Sequence, residues 1–159
     1  MAVLVITYCL SLLSLLSKGE DDLSYLLNAR EALAVMKLDA AFVERFQSDP
    51  NETDDLVYFL GDNPDYCHTW SAISQRVPCF RMNNGLMWFP KFKRFMTAVD
   101  KLTAVGMPVC PKYAEALAVH PIGVRDPHRA DMLSGNTMSL SSVTIMQLVA
   151  LSSFGKKQL

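Results

Sequence analysis

The chain has no C-x-x-C pair, no internal repeat and no low-complexity linker, and no nucleophile in it is tied to a histidine by a catalytic spacing. Each absence narrows the reading. Without a linker, its 159 residues form one domain, long enough for an ordinary core. The four cysteines, Cys9, Cys67, Cys79 and Cys110, are widely separated, so reduced and buried thiols are expected. Cys67-His68 with Cys79 fits no zinc-finger spacing, and neither metal nor cofactor is expected.

Charge is missing from two places. Residues 1–17, MAVLVITYCLSLLSLLS, carry none, yet fall just short of the roughly 18–20 residues of a membrane span. They also lack the basic n-region and the small-x-small site of a signal peptide. The segment is expected to dock on the core or on a neighbouring subunit. Membrane contact is the less favoured reading, and the protein is placed in the cytoplasm or a virion, not among secreted proteins. The second gap runs from 132 to 155 and contains a helix expected at about Ser139–Ser153, stopped by Gly155. Both segments need cover on most faces.

Apolar residues make up 50% of the chain and include nine methionines, which leaves apolar surface for a partner. The net charge of −1 conceals an asymmetry. Residues 1–80 carry 5 Lys+Arg against 12 Asp+Glu, and residues 81–159 carry 10 against 4. Three readings follow: the halves pair within one molecule, the basic half binds a polyanion, or acidic and basic faces meet between subunits.

The periodicities predict a mainly all-α domain of about six helices. Glu20, Asp21 and Asp22 open the first, whose core stripe is read as Leu26, Ala29, Leu33, Met36, Ala40 and Val43, widened by Leu27, Ala34 and Leu38. Asp39 is a candidate break, and Asp49-Pro50 ends the helix. A short helix is expected through Leu56 to Leu60 with Gly61 as its stop, and another with Tyr66, Trp70, Ile73 and Val77 on one face, closed by Pro78. Asn84-Gly85 marks a short β-hairpin near residues 79–89, the only β structure expected. Pro90 then starts a helix with Phe92, Phe95, Met96, Val99 and Leu102 in its stripe, and Pro111 starts the next. A polar connector fills 120–136.

The candidate site lies in WFPKFKRF, residues 88–95. Lys91, Lys93 and Arg94 sit at the expected helix start, where the dipole disfavours cations but suits a phosphate. Arg81 adds a cation and Trp88 a stacking surface, a combination suited to single-stranded RNA. Arg125 and Arg129, in the connector, are candidate ligands for phosphate or for another subunit's carboxylates.

These features point to a self-assembling homo-oligomer, a viral coat or nucleocapsid-like subunit with RNA on its basic face, and not an enzyme. Two alternatives stay open. One is a small accessory subunit of a larger complex, a membrane complex being one form of it. The other is a small enzyme using His120, Asp126, His128 and Asp131 of the 120–131 loop.

Overall fold

A computed structural model describes residues 22–74, 76–81, 86–135 and 140–153. After a single 3-10 turn, Ser24–Leu26, these form helix α1 (Ala29–Phe46), strands β1 (Tyr58–Phe59), β2 (Met87–Phe89) and β3 (Arg94–Phe95), then helices α2 (Ala98–Ala104), α3 (Pro111–Ala116), α4 (Pro127–Ser134) and α5 (Leu140–Ser153). Helix outweighs strand, and a small antiparallel sheet of order β1-β2-β3 organises the core.

Helix α1 begins at a reciprocal cap. The Asn28 side chain accepts from the Glu31 N–H (2.9 Å), and the Glu31 carboxylate accepts from the Asn28 N–H (3.0 Å). It ends where Gln47 turns into the left-handed region at φ 55°, three residues before Pro50. The expected start at Glu20–Asp22 is therefore too early: Asp22 precedes the 3-10 turn, and residues 20 and 21 lie outside the described residues. Nor does Asp39 break the helix.

The inward face is not the one expected. Ala34, Leu38 and Phe42 are buried against Leu56, Tyr58, Leu60, Trp70 and Trp88 on one side of the sheet. Leu33, Met36 and Val43 point outward, at 52%, 68% and 47% exposure. On the other side of the sheet lie Val57, Phe59, Met87, Phe89 and Met96, with Val77, Phe80, Phe92 and Ala104 packed against them.

Covered on both faces, the segment LVYFL at 56–60 is continuously apolar and holds strand β1 (Tyr58–Phe59), not the short helix expected. Gly61 is not a helix stop either. A Cβ there would come within 2.4 Å of the buried Phe59 ring, so a close approach requires the glycine. The helix expected around Tyr66 to Val77 is replaced by turns and a bridge pairing Trp70 with Tyr58. The Trp70 indole N–H is buried there without an acceptor among the described residues.

Asn84-Gly85 lies outside the described residues. The hairpin that is described comes one step later. Strand β2 pairs with β1 (Tyr58↔Trp88) and with β3 (Trp88↔Phe95, Phe89↔Arg94), and the chain reverses through Pro90–Lys93. The Lys93 N–H donates to the Pro90 carbonyl (3.3 Å), and Lys93 takes φ 46°. Pro90 starts no helix. The helix begins at Ala98, where Thr97 and Asp100 cap each other reciprocally and place an acid, not three cations, in the first turn.

Pro111 does open α3 as expected. The connector is not featureless, because α4 rises from it with Asp126 as its cap and packs on α2. The Lys101 ammonium, buried in α2, bonds Asp131 of α4. Cys110 is buried, but Cys67 and Cys79 are exposed thiols, against expectation.

Candidate assembly surface

The expected RNA-binding residues do not come together as a free basic surface. Arg81 makes a two-pronged bond to Asp62 (3.0 and 3.2 Å) while its guanidinium lies 4.5 Å over the Phe59 ring. Lys91 bonds Asp54, and Lys93 bonds Asp22 (3.2 Å). Arg94 is buried, with two bonds to Asp100 (2.7 and 3.3 Å) and one to the Phe95 carbonyl (2.9 Å). Trp88 is buried at the centre of the sheet, edge-on to Phe95 at 5.1 Å, and offers no stacking face.

Three of these pairs, Arg81–Asp62, Lys91–Asp54 and Lys93–Asp22, join the basic half to the acidic half of the same molecule. Of the three readings of the charge asymmetry, these residues therefore support pairing within one chain. The carboxyls respond accordingly. Asp62 is held below the ordinary carboxylate range by the Thr69 hydroxyl and then by Arg81. Asp22 is lowered by its bonds from Ser24, with Lys93 adding to them.

Arg125 and Arg129 differ. Both are exposed, and among the described residues their guanidinium groups form no ion pair. The α4 N-terminus between them is already served by the Asp126 carboxylate, which accepts from the Arg129 N–H (3.1 Å). An anion there would meet that carboxylate, so any phosphate contact rests on the two side chains.

A concavity of about 500 Å³ opens beside the C-terminal part of α1, lined by Asp39, Val43, Gln47, Ser48, Asp49, Pro50 and Asn51. The Tyr58 hydroxyl donates to Asp39 (2.9 Å). Burial pushes the Asp39 carboxyl up, and burial together with that carboxylate pushes the Tyr58 phenol well above its ordinary range. Ser48 is the hydroxyl in this lining, and no histidine stands beside it there. Among the described residues no group of three or more His, Cys, Asp or Glu is placed to hold a metal ion.

The larger exposed features are apolar. Helix α5 has 14 residues and no charge, and Ile145, Met146, Leu148, Val149 and Leu151 are 50–71% exposed. Its last hydroxyls are served internally, Ser152 and Ser153 both donating to the Val149 carbonyl at 2.8 Å. With those two hydroxyls satisfied, the last turn of the helix can lose water at little cost. Helix α1 adds Ala29, Leu33, Met36, Ala40 and Val43, all exposed along one side.

No known protein family matches this chain, and neither does any curated protein or solved structure. Among the described residues no helix is long and apolar enough to cross a membrane.

Proposed function

We propose that the protein is a self-assembling structural subunit whose partners are copies of itself. Helix α5 carries the reading. An uncharged helix with no charged face to turn to water belongs against something, and Ile145, Met146, Leu148, Val149 and Leu151 remain exposed among the described residues. Patches of that kind on a protein surface mark interaction sites.

A coat or nucleocapsid-like role is the specific form of this reading. Its phosphate contacts fall to Arg125 and Arg129, because Arg81, Lys91, Lys93 and Arg94 already face carboxylates. The same helix supports a second reading, docking into a larger complex of other chains. That reading predicts a protein that is insoluble alone and rescued by detergent.

Light scattering after size exclusion, with the 260/280 nm absorbance ratio recorded at low and high salt, separates them. Particles well above 17.7 kDa support assembly. Nucleic-acid absorbance that disappears as salt rises supports the coat form. A monomer at every concentration overturns the proposal.

A further inference from the structure

We infer that the outward face of α1 is the seam of an antiparallel pairing with α1 of a second copy. The inference rests on the assembly reading and names one of its surfaces. The exposed residues Ala29, Leu33, Met36, Ala40 and Val43 are separated by four, three, four and three positions. That alternation is the a/d spacing of a two-helix seam, narrower than the face a globular core requires. The core-facing residues Ala34, Leu38 and Phe42 occupy the opposite side of the same helix, so among the described residues the seam is left uncovered.

Charge selects the partner and its direction. One edge of the seam carries Arg30, Lys37 and Glu44 at equivalent heptad positions, and the other carries Ala32, Asp39 and Phe46. A parallel pair would set Asp39 against the partner's Glu44, acid on acid, at both edges. An antiparallel pair sets Arg30 against the partner's Glu44 twice, and the helix dipoles also oppose favourably. Antiparallel symmetry does bring Lys37 and Asp39 each towards its own copy. Both are already bonded at home, Lys37 to Asp65 at 2.6 Å and Asp39 to the Tyr58 hydroxyl. The contact is isologous and closes at two copies, leaving α5 for any further growth.

Two charge reversals test this, with circular dichroism as the check on folding, because Arg30→Glu gives up one exposed bond from the guanidinium to the Gly61 carbonyl (3.1 Å). Arg30→Glu places an acid in the first turn of α1 and Glu44→Arg a base in the last, both in the sense the helix dipole prefers. Each variant of the full chain alone should associate about tenfold more weakly than the wild type, by light scattering across a concentration series. Mixed one to one, they regain complementary edges and should recover wild-type association. Met36→Glu, at the centre of the seam, should weaken association by about thirtyfold or more while leaving circular dichroism unchanged.

If the wild type assembles but none of the three variants alters its mass, the α1 seam is wrong and assembly runs through another surface. If the wild type is a monomer, both the seam and the assembly reading fail. If Met36→Glu instead lowers the melting temperature of a monomer, the stripe is covered by the protein's own chain, and the seam is again wrong.

Discussion

The two apolar stripes of α1 run along opposite sides of one 18-residue helix, share its caps and differ in almost everything else. The inward stripe meets aromatic side chains on the sheet: Phe42 stands edge-on to Trp70 at 6.0 Å, and Leu38 is 2% exposed. The outward stripe is aliphatic, evenly stepped and open to solvent. Core faces are irregular because they must fit a sheet with large rings, whereas a seam for another helix is regular because its partner is regular. The regularity of a stripe therefore carries information about what covers it, beyond the fact that it is apolar.

Substitutions on the two sides should respond very differently. Leu38→Ala should destabilise the monomer by about 2–5 kcal/mol in urea unfolding, since it leaves a hole between α1 and Tyr58. Asn28→Ala removes the cap that both stripes share and should cost about 1 kcal/mol, lowering stability without favouring either face.

Asp39, on the flank between the stripes, should show a pH signature. Its folded carboxyl titrates above the ordinary value of 3.8, so its contribution to stability is complete below that value and is lost as pH rises through the folded pKa. Asp39→Asn keeps an acceptor for the Tyr58 hydroxyl and removes the charge. It should be the more stable protein at pH 7, by less than about 1 kcal/mol, with the gain vanishing in acid. Smallest of all, Met36→Gln should leave monomer stability within about 0.5 kcal/mol of wild type, because a 68% exposed side chain has little to lose. An unfolding midpoint that falls as far as that of Leu38→Ala would erase the distinction between the faces.

The same contrast explains what the sequence made legible. The stripe at 29, 33, 36, 40 and 43 is visible from spacing alone, but spacing does not say which side faces inward. The clue lay in Phe42 and Leu38, whose bulk matches an aromatic sheet. The sheet itself was hidden because LVYFL is a short continuous apolar run, which fits a buried strand as well as a helix segment. Pro90 misled for a related reason: proline suits a helix start and a turn equally. The three cations after it were the contrary signal, and Asp100 beyond Thr97 marked the true start. Pro111 and the uncharged stretch of α5 had no such competitor, and both read correctly. The pairing of Arg81, Lys91 and Lys93 with Asp62, Asp54 and Asp22 depends on long-range contacts that no local pattern encodes.

Methionine oxidation tests the central claim, that α1 keeps one face for the fold and the other for a second copy, without altering the chain. The protein would be exposed briefly to hydrogen peroxide at a series of concentrations and mapped by mass spectrometry. In dilute solution Met36 should oxidise quickly, while Met87 and Met96, buried beneath the sheet, react slowly. As concentration rises, Met36 should become protected and the two buried methionines should not change. Met36 reacting equally fast at every concentration, including those where the molar mass has risen, would contradict the account.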